Sequence, residues 1–205
     1  MDAIERLTHL FEKFPGIGPR QARRFVQYLL TTSPSVRTEL ADTIRKLAAE
    51  TSQCRRCWRW FITKGTTKDA CAICSSTQRD SSMLFVVEKD ADVENIERSG
   101  FRGKYFVLGG TIPLAIEEVE KFIRLRELIA RLEAEGKAGA LKEVILGLSA
   151  TTEGDHTRQI VYEKIHQLGA QAGFTISSLG RGLSTGSELE YADPDTIQNA
   201  LNSRN

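Results

Sequence analysis

The sequence lacks long apolar segments and carries almost no net charge. No stretch approaches the roughly 18–20 consecutive apolar residues that a membrane span needs. The first residues, Met1 to Arg6, are not followed by the apolar core of a signal peptide, so we expect a cytoplasmic protein. The chain has 205 residues, 40% hydrophobic and 27% charged, which predicts one large or two small globular domains rather than disorder.

The sequence also lacks the residue combinations of common catalytic sites. Its only histidines, His9, His156 and His166, have no evident serine or cysteine partner, so each is interpreted as solvated or as part of the core. No Walker A motif with its lysine is present, and no ATP site is therefore indicated.

The near-neutral total of +1 hides a strong asymmetry along the chain. Residues 1–80 hold 14 Lys+Arg and 8 Asp+Glu, whereas residues 81–205 hold 14 and 19. A basic first part and an acidic second part favour an anion-binding module joined to a module of another kind. The alternative is that the surface charges are distributed at random, which these counts alone do not distinguish.

The first fifty residues show the apolar periodicity of three helices. We expect helices over residues 2–13, from Pro19 to about Leu30, and over about 35–50, with Pro15 and Gly16 ending the first. The second helix directs five apolar residues inward and three arginines outward; these are Ala22, Phe25, Val26, Leu29 and Leu30, and Arg20, Arg23 and Arg24.

The turn between the first two helices has the sequence Pro-Gly-Ile-Gly-Pro. Gly16 and Gly18 leave backbone N–H groups at a helix start open to one phosphate, and Arg20, Arg23 and Arg24 follow within two turns. The alternative is an ordinary connection that uses glycine for its steric freedom. The flanking prolines and arginines favour a helix–hairpin–helix that binds DNA.

The only four cysteines form two pairs, Cys54/Cys57 and Cys71/Cys74, with 13 residues between the pairs. Two such knuckles complete the tetrahedral thiolate shell of a structural zinc site, which predicts one Zn²⁺ per chain and no open position for catalysis. Disulfides are the alternative, with three possible pairings, but nothing indicates an oxidising compartment. Basic residues of this segment would partly offset the thiolate charge; they are Arg55, Arg56, Arg59, Lys64, Lys68 and Arg79.

Strands and helices alternate after residue 80, which predicts a parallel sheet with right-handed crossovers. The predicted strands are 83–87, 105–108, 144–148 and 174–179, and the predicted helices are 90–99, 116–135 and 151–168. A Gly/Ser-rich loop and a last helix ending near Leu201 follow.

Three carboxylates fall where ligands gather in such a sheet. Glu88 ends the first strand, and Glu153 and Asp155 follow the third. Their hard oxygen ligands would suit Mg²⁺, whereas the plainer interpretation is that Glu153 and Asp155 complement a helix dipole.

The order of these parts resembles the RecR family of bacterial recombination mediators. The resemblance rests on FPGIGPRQARRF, the four-cysteine finger ending in Arg79-Asp80, VVEKDADVENIERSG with FVLGG, TTEGD, and GRGL with LEYAD, and it covers nearly the whole chain. It implies a Rossmann-like Toprim domain with a parallel sheet. The implied modules are a helix–hairpin–helix (1–53), a zinc finger (54–80), a Toprim domain (81–178) and a C-terminal tail (179–205).

The resemblance also implies a function and the residues that serve it. Family members are not known as enzymes; they form ring-like homo-oligomers, bind single- and double-stranded DNA, and act with RecO and RecF to load recombinase onto gapped DNA. Gly16, Gly18, Arg20 and Arg24 match the DNA-binding hairpin, the four cysteines match the zinc ligands, and Glu88, Glu153 and Asp155 match acidic positions associated with partner contacts. A Mg²⁺-dependent Toprim nuclease using those three carboxylates is the alternative function. The chain departs from the family pattern at 111–118, 147–150 and 184–187, all in its acidic part.

Overall fold

The chain folds as two compact units, residues 1–51 and 52–205. The computed structural model describes residues 1–63, 69–115, 119–180, 182–183, 186 and 188–202. Lys64, Lys68 and three residues of the 184–187 segment (Ser184, Thr185 and Ser187) therefore lie outside the described residues. The division between the units lies close to the predicted boundary at 53, while the boundaries at 80 and 178 stay predictions.

The first unit consists of three helices, α1 (Ala3–Glu12), α2 (Pro19–Thr31) and α3 (Pro34–Glu50), which confirms the helices predicted there. Helix α1 begins with a capping box in which Asp2 and Glu5 each accept the other's backbone N–H. Helices α2 and α3 begin with proline, whose fixed φ suits a first helical turn and whose missing N–H costs nothing there.

The first unit buries little of its apolar surface. Among residues 1–51 only Ala22 and Val26 are buried. Phe25 and Leu30 face the other helices as predicted, Phe25 packing edge-on against Phe11 and Leu30 lining a groove, but they stay 41% and 54% exposed. Three short helices enclose too little volume to cover every apolar face. An open groove of about 800 Å³ remains, lined by apolar side chains of all three helices such as Leu7 and Ile44.

The second unit begins with the cysteine module, which we define as residues 52–80. It contains most of strand β1 (Thr51–Gln53), its partner β2 (Trp60–Ile62) and the single-turn helix α4 (Ala72–Ser75). In its described residues, this small segment has no apolar core apart from the four buried cysteines and the few side chains against them.

The rest of the second unit is built on a four-stranded parallel sheet, as predicted. Its strands are β3 (Met83–Val87), β4 (Lys104–Val107), β5 (Glu143–Gly147) and β6 (Thr175–Ser178), in the order β4-β3-β5-β6. The helices are α5 (Asp90–Arg98), α6 (Leu125–Lys137), α7 (Thr152–Ala172) and α8 (Pro194–Asn202).

The central strand β3 is buried on both faces, which explains its unbroken apolar run. Leu84 and Val86 belong to the larger core, which also contains Leu128 of α6 and Val161 of α7. Phe85 and Val87 point to the other face and pack in a smaller core with residues of α5 and β4, namely Val93, Ile96, Tyr105 and Val107. Helices thus cover both faces of the sheet, as in Rossmann-like folds.

The predicted long helix over 116–135 is wrong at its start. Helix α6 begins at Leu125, a 3₁₀ turn occupies Val119–Lys121, and residues 116–118 lie outside the described residues. Arg124 has a non-helical backbone because its N–H donates to the Leu108 carbonyl at 2.8 Å and its guanidinium to the Val107 carbonyl at 3.0 Å. The chain is therefore held at the end of β4, and the apolar spacing of residues 119–124 does not continue α6 toward its N-terminus.

A hydrogen-bonded cluster joins the end of the cysteine module to the sheet. The Arg79 guanidinium forms an ion pair with Glu97 and donates to the carbonyls of Phe101 (3.1 Å) and Gly103 (3.3 Å). The Tyr105 hydroxyl donates to the same Glu97 carboxylate at 2.5 Å. The hydrogen bonds from Arg79 and Tyr105 hold the pKa of Glu97 below its usual value although partial burial opposes this, while burial and the nearby Glu97 carboxylate raise the pKa of Tyr105.

We expect Glu97→Gln to lower the free energy of unfolding by about 1–2 kcal/mol at pH 7, because charge-assisted hydrogen bonds are lost. Since the pKa of folded Glu97 is lowered, its contribution is present above the unfolded value of about 4.3 and is lost as the pH falls through the folded value. Urea unfolding followed by tryptophan fluorescence at pH 7 and near pH 3 measures both effects. Glu133→Gln, at an exposed position, is the control; a Glu97→Gln deficit of the same size at both pH values would contradict the pKa assignment.

Candidate nucleic-acid interface and metal centre

The turn between α1 and α2 leaves the N-terminus of α2 open. Gly16 has φ +74°, a conformation that favours glycine, and the Ile17 N–H donates to the Phe14 carbonyl at 3.1 Å, which closes the turn. Gly18 is the N-cap and provides no side-chain hydrogen bond to the helix. Pro19 has no N–H, and the Arg20 and Gln21 N–H groups have no hydrogen-bond partner among the described residues.

Gly18 leaves free space in front of this helix N-terminus. A Cβ added there would meet no atom within 4 Å, and its φ of −88° is accessible to any residue, so the fold itself does not require glycine. Because Gly18 has no side chain, another molecule can approach the backbone closely at this position. The partial positive charge of the helix N-terminus makes an anion the favoured molecule.

The three predicted DNA-binding arginines follow this N-terminus directly. Arg20, Arg23 and Arg24 are exposed, and no ion pair to them occurs among the described residues. Gly16, Gly18 and these arginines therefore occupy one end of α2, with their charges available to neighbouring phosphates.

The four cysteines form a single buried cluster without a disulfide. Their sulfur atoms all lie within 4.8 Å of one another, and the Cys57 and Cys71 Sγ atoms are 3.6 Å apart. Tetrahedral binding at a metal–sulfur distance of about 2.3 Å would place sulfurs roughly 3.8 Å apart. The cluster can therefore hold a metal ion, and the two predicted knuckles are brought together as expected.

Hydrogen bonds among the four thiols shift the pKa values of Cys54 and Cys57 in opposite directions. Contacts with Cys57, then Cys71 and Cys74, lower the pKa of Cys54 far below its ordinary value. The hydrogen bond to Cys54 and burial raise the pKa of Cys57. Because metal ligands are thiolates, a bound cation would replace the thiol protons.

The first knuckle also covers the edge strand β4. The Val107 N–H donates to the Cys57 carbonyl at 2.8 Å, and Arg131 Nη1 donates to the carbonyls of Arg56 (2.9 Å) and Tyr105 (2.7 Å). One guanidinium thus bridges the knuckle and the strand. Sequence reasoning missed Arg131, and its position within an apparently ordinary amphipathic helix gives no local signal.

Trp58, the residue after Cys57, adds a second link between the knuckle and the sheet. Its φ of +62° is the only positive value for a non-glycine residue in the described part of the chain. Its ring packs against the larger core, with the Arg124 guanidinium carbon 5.6 Å from the ring centroid. The backbone N–H of Trp60 donates to Asp90 Oδ1 at 2.7 Å, while the Trp60 side chain is 56% exposed.

The predicted acidic residues lie near the carboxyl ends of β3 and β5, but each has a different environment. Glu88 is buried and accepts the Ser149 N–H at 2.6 Å, Glu153 lies 3.5 Å from the Thr111 hydroxyl, and Asp155 pairs with Arg158 at 2.9 Å. Across the described ranges, only the four cysteines form a group of three or more metal-ligating residues. The geometry therefore does not bring the three carboxylates together as one ligand set.

The glycine of the TTEGD motif positions this edge of the sheet. A Cβ at Gly154 would meet the Ser149 carbonyl oxygen at 2.1 Å, so only glycine lets α7 begin this close to the loop after β5. Thr151 caps the helix by accepting the Gly154 N–H. Ser149, held here, is the residue whose N–H binds Glu88.

Comparison with known families matches three parts of the chain, one before the cysteine module and two after it. Residues 4–48 match the RecR helix-hairpin-helix model, residues 82–179 match the Toprim domain model, and residues 182–205 match the RecR C-terminal model. In the part of the chain that the structure describes, no helix combines the length and apolar character needed to cross a bilayer.

Curated relatives match the chain over nearly its full length. Proteins named recombination protein RecR from Phenylobacterium zucineum and Chloroflexus aurantiacus are 38% and 37% identical over 202 residues, covering 98% of this chain and 94% and 93% of theirs. That from Bdellovibrio bacteriovorus is 34% identical over 207 residues, covering 100% of this chain and 97% of its own. The open hairpin, the four-cysteine cluster and the parallel sheet thus occur in a sequence that aligns with these relatives from end to end, and the chain belongs to the RecR family of recombination proteins.

Proposed function

We propose that this chain is a DNA-binding mediator of recombinational repair. The observation that carries the proposal is the open N-terminus of α2, where Gly18 and two unpartnered N–H groups face solvent beside three exposed arginines. The relatives' shared name, recombination protein RecR, supports the role in recombination.

The hairpin suits the nucleic-acid backbone rather than the bases. One phosphate would accept hydrogen bonds from the Arg20 and Gln21 N–H groups, and the arginine side chains would contact neighbouring phosphates. Such contacts contain no base readout, so binding should tolerate any sequence, on single- and double-stranded DNA, and should weaken steeply with salt.

We expect Arg20→Ala with Arg24→Ala to weaken DNA binding by about tenfold or more at 0.1 M salt, because two phosphate contacts are lost. Fluorescence anisotropy with a labelled oligonucleotide over a series of salt concentrations measures the affinity and its salt slope, which should fall by about two. The control variant, Lys137→Ala with Lys164→Ala, removes two exposed cations from α6 and α7. Unchanged binding by the arginine variant, with its helicity intact, would disprove the hairpin assignment.

The mediator role requires protein partners as well as DNA. We propose that the chain assembles as a homo-oligomer, either a dimer or a tetrameric ring. It would act in the cytoplasm, in association with the nucleoid, together with RecO and RecF to load recombinase onto gapped DNA. The acidic second part of the chain would contact these partners, with Glu153 and Asp155 reaching its surface and the buried Glu88 holding the adjoining loop at Ser149. Its net charge of −5 over residues 81–205 suits it to basic protein surfaces.

We propose that the ion of the four-cysteine cluster is Zn²⁺, one per chain. Four buried thiolates form a closed, soft ligand set, which is typical of structural zinc and leaves no position for substrate. Cys54, Cys57, Cys71 and Cys74 would hold the ion. When bound, it supplies folding energy to a module that has almost no apolar core.

Protein purified without chelator should contain about one zinc per chain by elemental analysis, and Cys54→Ser should reduce that content and lower the melting temperature. Loss of the first knuckle should also change the fluorescence of Trp58 and Trp60. Ser75→Ala, an exposed substitution in α4, is the control for the module. A metal-free protein with the wild-type melting temperature would overturn the zinc assignment.

We propose further that the chain acts without catalysis. Glu88 is engaged by the Ser149 N–H and Asp155 by Arg158, so neither carboxylate is held ready as part of a common Mg²⁺ site. Supercoiled DNA incubated with the pure protein and Mg²⁺ should stay intact. Cleavage that Glu88→Gln abolishes would instead establish the alternative, a Mg²⁺-dependent Toprim nuclease.

A further inference from the structure

A cleft in the second unit lies between the first cysteine knuckle and helix α6, and its lining does not include the carboxyl ends of the strands. Its volume is about 620 Å³, within the range of about 300–1,000 Å³ of small-molecule sites. We call it the alanine cleft, because Ala130, Ala134 and Ala138 line one side at helical spacing. Trp58 lines it as well, so its surface combines small apolar groups with an aromatic ring.

Cations from three separate segments line the same cleft. Arg55 and Arg56 belong to the knuckle, Lys104 begins β4 and Arg131 belongs to α6. Arg56 donates to the Cys74 carbonyl at 3.3 Å and so lies against the thiolate cluster, whose negative charge it offsets. Arg55 and Lys104 are the cations left for a ligand, since the Arg55–Asp69 pair is highly exposed and Lys104 has no ion pair among the described residues.

The Arg131 guanidinium contributes charge from beneath the surface of the cleft. Its side chain is only 8% exposed and forms an ion pair with Glu135 at 3.0 Å, but its Nη2 group is buried without a hydrogen-bond partner. Such an orphaned donor is costly, and an acceptor or negative charge nearby would reduce its cost. Of the two carboxylates that line the cleft, Glu135 pairs with Arg131, whereas Glu127 has no ion pair among the described residues and should repel an anion that extends toward it.

We propose that the alanine cleft binds the sugar–phosphate backbone of a single nucleic-acid strand. Arg55 and Lys104 would contact phosphates, while the alanine side chains and Trp58 would contact sugar or base. The volume corresponds to about one or two nucleotides, and a single strand, unlike a duplex, has bases free to contact Trp58. The inference extends the proposed function, since it assumes that nucleic acid is the ligand of the chain and assigns a second contact to a unit that does not contain the hairpin.

The test compares two double variants of the full chain on a labelled oligothymidylate. Arg55→Gln with Lys104→Gln should weaken binding about tenfold at 0.1 M salt and reduce the salt slope by about one to two. Lys137→Gln with Lys164→Gln, which removes as much charge from exposed sites outside the cleft, should leave both unchanged. Glu127→Gln should strengthen binding, because it removes the repelling carboxylate. A matched duplex should respond less than the single strand to the cleft variant.

The outcomes separate this proposal from the proposed function. If Arg20→Ala with Arg24→Ala weakens binding and the cleft variant does not, the hairpin stands and the cleft proposal fails. If the wild-type chain binds no oligonucleotide, the proposed function fails. Trp58 fluorescence titrated with thymidine 5′-monophosphate and with inorganic phosphate then tests the cleft itself. The mononucleotide could bind saturably, and Lys104→Gln could abolish that binding, while no strand binds. The alanine cleft would then be a site for free nucleotides, and the proposal would be overturned.

Discussion

The second unit depends on the cover that the cysteine module provides for edge strand β4. Val107 would otherwise present an unpaired N–H at the edge of the sheet; instead it donates to the Cys57 carbonyl, while Arg131 bridges Arg56 and Tyr105. The cysteine module, whose described residues form almost no apolar core, is thereby attached to the parallel sheet, which has an apolar core on each face. The geometry of the four sulfurs and that of the sheet edge are consequently linked through backbone atoms of a single knuckle.

The same attachment extends to the carboxyl ends of the strands, near which Glu88, Glu153 and Asp155 lie. Trp58 lies under Arg124, whose guanidinium is so close to Gly109 that a Cβ there would meet Nη1 at 2.7 Å. The Gly109 N–H donates to the Glu88 carbonyl at 2.8 Å. A continuous series of contacts therefore connects the cysteine knuckle with the strand ends where partner contacts are proposed. Within the second unit, the four-cysteine cluster and the carboxyl ends of the strands are parts of one packed structure.

Charge is distributed between the units in a way that the total conceals. The hairpin presents Arg20, Arg23 and Arg24 on a helix that has no acidic residue in its first turn. The second unit carries most of the carboxylates, yet several are already used inside it, as Glu97 is by Arg79 and Glu135 by Arg131. Some of the carboxylates that make the chain nearly neutral thus form ion pairs inside the second unit.

The sequence by itself determined the features that rest on local spacing. The cysteine pairs, the Pro-Gly-Ile-Gly-Pro turn and the apolar run of β3 each specify their structure within a few residues, because knuckles, turns and buried strands are local. The tertiary structure alone decided where α6 begins, because Arg124 donates hydrogen bonds to the carbonyls of Val107 and Leu108 at the end of β4 and has a non-helical backbone. It also decided that Phe25 stays exposed, that Arg131 bridges two modules and that Glu88, Glu153 and Asp155 have separate partners. These outcomes depend on contacts between residues distant in sequence, which periodicity and spacing do not encode.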